Sequence, residues 1–168
     1  MKYQDYHLAE VNIARMAAPL ESPLLADFVA RLDEINSLAD ESPGFIWRLQ
    51  SDEGNATYFK PYDDDLILFN LSVWESPEDL KNYVYRSAHN EVFKRRREWF
   101  EKFNGMFFAM WWVKSGELPT IAEAKQRLDY LEKNGPTEFA FTFKQTFEPT
   151  DREFEISTPS IGTQCQAS

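Results

Sequence analysis

The clearest strand in the sequence is LILFNLSVW at residues 66–74, a nearly continuous run of apolar, β-branched and aromatic residues. The residues that follow, Ser76-Pro77-Glu78, supply an N-cap, a proline in the first turn and an early acid, which is the order favoured at a helix start. We predict that this helix runs to about Phe103, where Asn104-Gly105 ends it. These residues therefore predict a strand followed directly by a long helix.

Further elements are predicted on both sides of this unit by hydrophobic periodicity and by cap and turn residues. They are a strand at 6–16, a helix from Leu24 to about Glu41, a short strand at 45–50 with a continuation at 56–60, a strand at 107–114, a helix from Thr120 to Gly135, and an alternating strand at 138–147. The resulting order is β-α-β-β-α-β with an appended helix and strand. This order predicts an α+β, ferredoxin-like sandwich with an antiparallel sheet.

The length and composition favour one folded domain. A chain of 168 residues with 43% hydrophobic residues has room for a single core. We place the domain at residues 1–147 and predict a flexible tail at 148–168, where Thr, Ser, Pro and Gln dominate. The single cysteine, Cys165, excludes a disulfide framework and suits a reducing compartment.

The charge and the apolar runs limit the partners. A net charge of −10 and a pI near 4.7 argue against nucleic acid and against an anionic membrane surface. The longest apolar runs, such as FFAMWWV at 107–113, are too short to span a bilayer, and the N-terminus is not a secretory signal. We therefore expect a cytoplasmic protein that binds neither nucleic acid nor membrane.

The aromatic content, 15% of the residues, predicts a partner for the sheet. In a ferredoxin-like fold the helices cover only one face of the sheet, yet large apolar residues occur at both alternations of the predicted strands. A homodimer in which two sheets pack into a barrel would cover the second face. The full prediction is thus a dimeric α+β barrel.

One face of the predicted sheet is mixed in polarity. It carries polar residues on three strands, namely Glu10, Asn12, Arg48, Gln50, Asn70 and Ser72, beside apolar Leu8, Ile46, Leu68 and Trp74. Polar groups on a buried strand face are costly unless they are paired, so this face is either a pocket lined with hydrogen-bonding groups or a partly solvated surface on which Arg48 pairs with Glu10. Alternation alone leaves open whether it faces the helices or a dimer partner.

The second predicted helix carries two stripes, of which the second combines Tyr85, His89, Phe93, Arg96 and Phe100. A helix on a sheet needs one apolar stripe, so the second should face a partner, the third helix or a ligand. His89 could act as a general base or a haem ligand, or could be a hydrogen-bonded structural residue. No Ser or Cys triad and no nucleotide or zinc motif occurs in the sequence, and we predict no metal site.

Several segments together resemble an uncharacterised family, domain of unknown function number 3291, over roughly residues 5–145. The segments are YHLAEVNIAR, SPGFIWRLQ, LSVWES, YRSAH, RRREWF and the GPT that precedes FAFTF. The resemblance implies membership of the dimeric α+β barrel superfamily, in agreement with the order of elements.

A more distant resemblance links Trp74-Glu75-Ser76, and the helix that reaches Ser87-Ala88-His89, to antibiotic-biosynthesis-type monooxygenases. It implies a small dimeric enzyme that oxidises an aromatic or quinol-like substrate, often without metal or flavin. Haem-degrading relatives share a first-strand Asn, which Asn12 matches, and an aromatic residue in the helix, where this chain has Tyr83. Their ligand His falls near Phe93, so His89 could replace it only in a shifted helix.

Three hypotheses follow. The first is an enzyme that oxidises or rearranges an aromatic or carbonyl substrate, with Asn12 and Trp74 orienting it and His89 moving a proton; its substrate-binding residues would be Arg48, Asn70, Tyr85, Phe93 and Arg96. The second is a protein that binds haem or another hydrophobic ligand. The third is a non-catalytic dimeric module whose aromatic residues form only core and interface.

Overall fold

The computed structural model describes residues 3–51, 59–87 and 89–154. In chain order the elements are β1 (Tyr6–Arg15), a short 3-10 turn (Pro23–Leu25), α1 (Ala26–Asp40), β2 (Phe45–Arg48), β3 (Ile67–Trp74), α2 (Pro77–Arg86), α3 (His89–Lys94), α4 (Arg96–Trp99), β4 (Phe108–Lys114) and α5 (Ile121–Asn134).

The strands form one antiparallel sheet in the order β2-β3-β1-β4. This is the order of a ferredoxin-like fold, with the first strand between the third and the fourth. The prediction of an α+β, ferredoxin-like architecture is therefore confirmed. Among the described residues, no helix is long and apolar enough to cross a membrane.

The two faces of the sheet are covered by different helices. On one face Val11, Phe69 and Trp111 are almost fully buried and pack with Leu128 of α5. On the other face Leu68 packs with residues of α1, α3 and α4, and Trp74 packs with residues of α2. Because residues of β1 and β3 alternate, the mixed polar positions share this second face. They therefore lie beneath α1, α2 and α3.

The cover that α5 provides corrects the argument for a dimer. The sequence left one sheet face without helices, but Leu128 and Leu131 of α5 pack against that face within a single chain. The appended helix α5 thus covers the sheet face that the second sheet of a homodimer was expected to cover. The homodimer itself stays a prediction, without the support of an uncovered sheet.

The long second helix is wrong as predicted, because it divides into α2, α3 and α4. At Ser87 the backbone becomes extended (φ −105°, ψ 179°), and the Ser87 hydroxyl donates to the carbonyl oxygen of Tyr83. Serine side chains compete with helical hydrogen bonds in this way. A second interruption follows at Arg95, and α4 ends at Trp99, before Phe100 pairs with Met16. The predicted stripe is therefore not one continuous helix face.

The alternating strand at 138–147 is also wrong. This segment forms isolated bridges, including one between Met110 and Phe141, with turns between them. Phe139 packs on the α5 side of the sheet, whereas Phe141 is fully buried on the opposite side. The alternation of phenylalanines reflects a segment that passes along the edge strand β4 and contributes to both cores.

Two predictions fall partly outside the described residues. The strand continuation at 56–60 lies mainly within residues 52–58, which are not described, and the same holds for residues 155–168 of the tail. The first part of the tail contacts the domain, because the Tyr6 hydroxyl donates to Asp151 and the ring of Phe154 lies 5.2 Å from that of Phe139. The boundary between residues 147 and 148 stays a prediction.

Candidate functional site

A row of polar side chains crosses the middle of the helix-covered face. On β1, Glu10 and Asn12 are two residues apart, and the antiparallel register places Ser72 opposite Glu10 and Asn70 opposite Asn12. The row lies between two apolar clusters, one around Leu68 and the other around Trp74 and Leu8. Polar groups in such a position need internal partners.

The side chains of this row form a directional network that ends at Glu10. The Asn12 amide donates to Glu10 Oε1 at 2.6 Å, and the Ser72 hydroxyl donates to Oε2 at 2.8 Å. Behind these donors, Asn70 Nδ2 donates to Asn12 Oδ1 at 3.1 Å, and Trp74 Nε1 donates to Ser72 Oγ at 2.9 Å. All four hydrogen bonds are therefore donated in the direction of the Glu10 carboxylate. The bonds from Asn70 and Trp74 fix the orientation of Asn12 and Ser72, which donate to the carboxylate directly.

Burial makes Glu10 a proton-exchanging group at neutral pH. The residue is only 4% exposed, and burial raises its pKa from the ordinary value of 4.5 to about 7, although the hydrogen bonds from Asn12 and Ser72 act in the opposite direction. Both donors are neutral, so they offset only part of the cost of the buried charge. A carboxyl group whose pKa is near the working pH can both take up and release a proton.

Aromatic rings line the side of the network next to α2. The Tyr83 ring stacks on Trp74, with the centroids 5.1 Å apart and the planes inclined by 28°. The Tyr83 hydroxyl lies 3.3 Å from the carbonyl oxygen of Ile35 in α1. Burial, and secondly the charge of Glu10, raise the pKa of Tyr83, which places this ring within electrostatic reach of the carboxylate.

His89 is the first residue of α3 and lies behind Tyr83, with the ring centroids 4.9 Å apart. Its Nδ1 is 3.3 Å from the carbonyl oxygen of Val84. Burial lowers the pKa of His89, so the imidazole is neutral at pH 7. Because a carbonyl oxygen only accepts, Nδ1 carries the proton in this contact.

The structure brings four of the predicted site residues together. Asn12, Asn70 and Trp74 belong to the hydrogen-bonded network, and His89 reaches Trp74 through the ring of Tyr83. The three strand positions share one sheet face because of the alternation that the sequence showed, whereas His89 begins helix α3. Their roles in catalysis stay a prediction.

The position of Arg48 differs from the alternative, considered from the sequence, in which it pairs with Glu10. Instead of pairing with Glu10, its guanidinium binds Asp40 at the end of α1, with Nε and Nη2 at 2.7 and 3.2 Å from the two carboxylate oxygens. Such a bidentate pair has a strong geometric preference. Because Arg48 holds α1 against β2, a direct role at the Glu10 carboxylate is not needed to explain its position.

The remaining predicted residues lie toward the surface. Tyr85 is 45% exposed, and its ring contacts that of Phe93 at 6.0 Å. The guanidinium of Arg96 lies 4.3 Å from the centroid of Phe93 and donates to the carbonyl oxygen of the same residue at 2.9 Å. The ring centroids of Phe93 and His89 are 6.5 Å apart, so Tyr85, Phe93 and Arg96 lie on the outer side of the candidate site.

The sequence placed Glu10 and Ser72 on the mixed face and matched Tyr83 to a helix aromatic of haem-degrading relatives, but it singled out none of the three as a site residue. For Glu10 and Ser72 a signal existed, since two polar residues at alternating positions of apolar strands require a shared partner. Tyr83 is different, because its contact with Trp74 depends on how α2 packs on the sheet, which a helical pattern in the sequence does not specify. Its contact with His89 also depends on the break that follows α2.

A separate cavity of about 280 Å³ lies at the end of the sheet and contains none of the predicted residues. Its lining includes Tyr3, Tyr6, His7, Glu75 and Asp79. Within the described parts of the chain, no group of three or more His, Cys, Asp or Glu side chains is arranged to hold a metal ion. None of the residues of the Glu10 network is among those that line this cavity.

The fold and the site define an α+β protein with ferredoxin-like topology and a buried carboxylate network between its sheet and helices. The chain belongs to the family described as Domain of unknown function (DUF3291), which matches residues 7–157. The crystal structure of a mutant of SnoaB, a cofactor-independent oxygenase from Streptomyces nogalater, is similar over 68% of this chain and 96% of that chain, with 12% identity and a TM-score of 0.42. A comparison with curated proteins found no match.

Proposed function

We propose that the chain is an enzyme that binds a small aromatic or carbonyl compound between the sheet and the helices, and that Glu10 takes a proton from it. The observation that carries the proposal is the convergence of the network on a buried carboxylate whose pKa is about 7. A structural carboxylate is usually paired with a cation, whereas this one receives bonds from neutral groups.

The surrounding residues suit this role. Asn12 and Asn70 are half-buried and can orient a polar group of the substrate, while Tyr83, which is half-buried and stacked on Trp74, can contact an aromatic one. Proton removal by Glu10 would produce an enolate or phenolate, which is more electron-rich than the neutral compound. The predicted monooxygenase-like reaction would begin with this step, and Phe93 and Arg96 would lie at the outer edge of the bound substrate.

Hydrogen–deuterium exchange tests the proposal without knowledge of the natural substrate. We expect the protein to accelerate exchange of the acidic C–H protons of an enolisable aromatic ketone, 2-tetralone, followed by NMR in heavy water. Because a positioned general base contributes roughly 10²–10⁴-fold, Glu10→Gln should slow the catalysed exchange by about 100-fold or more. The matched control is Glu41→Gln, which changes an exposed carboxylate at the end of α1.

The rate in wild-type protein should also rise with pH through about 7, because the ionised form of Glu10 is the base. If Glu10→Gln catalysed exchange as fast as the Glu41 control, the assignment of Glu10 as the base would be wrong. Absence of exchange with the wild-type protein would count against the enzyme hypothesis for this class of compound.

Haem binding is the second candidate, and the tautomer of His89 favours it. With Nδ1–H directed to the Val84 carbonyl, Nε2 holds the lone pair that a metal ligand needs, and the low pKa keeps the ring neutral. Hemin added to the protein should then give a shifted Soret band that His89→Ala removes. An unshifted band with the wild-type protein would eliminate this candidate.

A further inference from the structure

The junction between α2 and α3 is held by side chains that bind the last turn of α2. The hydroxyl of Ser87 donates to the Tyr83 carbonyl, and it also accepts from the backbone N–H of His89 at 3.2 Å. The imidazole of His89 lies at the next carbonyl, that of Val84, at 3.3 Å. Carbonyls at a helix C-terminus have no partner within the helix, so these contacts satisfy them.

The contact made by His89 requires a donor N–H group, and it does not require a group that gains and loses a proton near neutral pH. A neutral imidazole with its proton on Nδ1 meets this requirement, and burial favours the neutral form. The backbone of Tyr83 and Val84 is therefore fixed by Ser87 and His89 together. The backbone conformation in the last turn of α2 thus also depends on His89, which follows the break at Ser87.

The ring of Tyr83 is held from three directions. It lies between Trp74 of β3 and His89 of α3, with centroid distances of 5.1 and 4.9 Å, and its hydroxyl reaches the Ile35 carbonyl of α1. The ring is half-buried, and it faces the same part of the sheet as Trp74, whose indole begins the chain of bonds to Glu10. Tyr83 thus stands where a ligand of the Glu10 site would make aromatic contacts.

We propose that His89 is a positioning residue, which holds the Tyr83 ring against Trp74, and that Tyr83 is a further substrate-contacting residue of the Glu10 site. This inference rests on the proposed function. In this arrangement Trp74 and His89 cover the two faces of the Tyr83 ring, so the substrate contacts the ring edge and the hydroxyl. The hydroxyl can donate to a substrate oxygen instead of to the Ile35 carbonyl. The proton-moving role that the sequence suggested for His89 belongs to Glu10.

Substitution of His89 by asparagine separates positioning from proton transfer. The amide of Asn can place an N–H near the position of Nδ1 but cannot act as a base at neutral pH. We expect His89→Asn to keep the exchange of 2-tetralone within about threefold of wild type, and His89→Ala to slow it by about tenfold or more through misplacement of Tyr83. Tyr83→Leu should slow the exchange about as much as His89→Ala does, because the first variant removes the ring and the second removes the contact that positions it.

The position of Tyr83 can be read directly by NMR, with no substrate present. Stacking on Trp74 should shift the ring protons of Tyr83 upfield, and Tyr83→Phe identifies them among the seven tyrosines. We expect this shift in wild type and in His89→Asn, and its loss in His89→Ala. The dispersion of the other tyrosine signals shows whether each variant is folded.

Three results would overturn the inference. Equal loss of exchange in the Asn and Ala variants, with the Tyr83 shift retained, would make His89 the proton carrier. An unchanged Tyr83 shift in folded His89→Ala would show that His89 does not position the ring. A lost shift with normal exchange would show that Tyr83 does not contact the substrate. Failure of the proposed function would give a different result from failure of this inference. Exchange of 2-tetralone would then be insensitive to Glu10→Gln, while the Tyr83 shift would still depend on residue 89.

Discussion

Glu10→Gln is expected to gain about 3 kcal/mol of stability relative to wild type as the pH rises from 4.5 to 8, because each pKa unit corresponds to ~1.4 kcal/mol. Burial raises the pKa of Glu10 in the folded chain to about 7, against 4.5 as its ordinary value. Between these two pH values the folded chain binds more protons at this site than the unfolded chain. Wild-type stability therefore falls as the pH rises through this window and levels off above pH 7.

Gln cannot ionise, so its own effect on folding is constant over this range. The substitution has a fixed cost, because the Gln NH₂ group replaces one accepting oxygen and cannot receive the bond that Asn12 or Ser72 donates there, but that cost cancels when pH values are compared. Other titrating groups cancel in the same way. The difference between the two unfolding free energies, measured by urea titration from pH 4.5 to 8, isolates the contribution of Glu10.

Ser72→Ala is the matched variant for this experiment. The Ser72 hydroxyl donates to Glu10 Oε2 and lowers the pKa of the carboxyl in the folded chain, so its removal should extend the upper end of the window of falling stability to higher pH, while the lower end at about 4.5 stays in place. A difference between Glu10→Gln and wild type that does not change with pH would show that the buried carboxyl is not perturbed as described.

Arg127→Ala is expected to destabilise the fold by about 3–5 kcal/mol, the range typical of breaking a buried ion pair from one side. Arg127 belongs to α5, is 6% exposed, and contacts the segment that follows the helix. Its Nη2 donates to Glu123 Oε1 at 2.9 Å, and its Nη1 donates to the Phe139 carbonyl at 2.7 Å. Its guanidinium also lies 3.9 Å from the centroid of the Phe139 ring.

Truncation at Arg127 leaves a carboxylate and a carbonyl without their donor and opens a cavity beside the Phe139 ring. Arg127→Met keeps most of the side-chain volume, and Arg127→Met combined with Glu123→Gln also removes the unpaired charge. We expect the double variant to recover part of the stability that Arg127→Met loses. A loss below about 1 kcal/mol for Arg127→Ala, in denaturant unfolding at pH 7, would contradict this account of α5.

The sequence predicted well those elements whose signals are local. Ser76 accepts from the backbone N–H of Asp79, and Thr120 accepts from that of Glu123, as the cap residues indicated. Strand β3 spans Ile67–Trp74, within one residue of the predicted range. A cap or a continuous apolar run depends on neighbours in the chain, so it can be read without knowledge of the fold.

The break at Ser87 could not be predicted in this way. The apolar periodicity continues through Ser87 into Phe93 and Trp99, although the backbone leaves the helix. The decisive contacts are those of Ser87 and His89 with carbonyls of α2, which serine and histidine can make in many settings. Periodicity records which residues become buried, and it does not record where a helix bends.

The candidate site could be predicted in part. Alternation placed Asn12, Asn70 and Trp74 on one face, and the structure joins them in one network. Alternation placed Glu10 on the same face, but its central position in the network depends on the register opposite Ser72 and on the helices that bury it. Both of these are properties of the assembled sheet.

The titration of Glu10 itself tests the central claim most directly. Protein labelled with ¹³C at the glutamate side-chain carboxyl carbon, with Glu10→Gln used to assign the signal, would report the protonation of this one group by NMR. The network and its burial predict a midpoint at about pH 7. A midpoint near 4.5, the ordinary value for a glutamate, would contradict the claim that this carboxyl is held ready to exchange a proton at neutral pH.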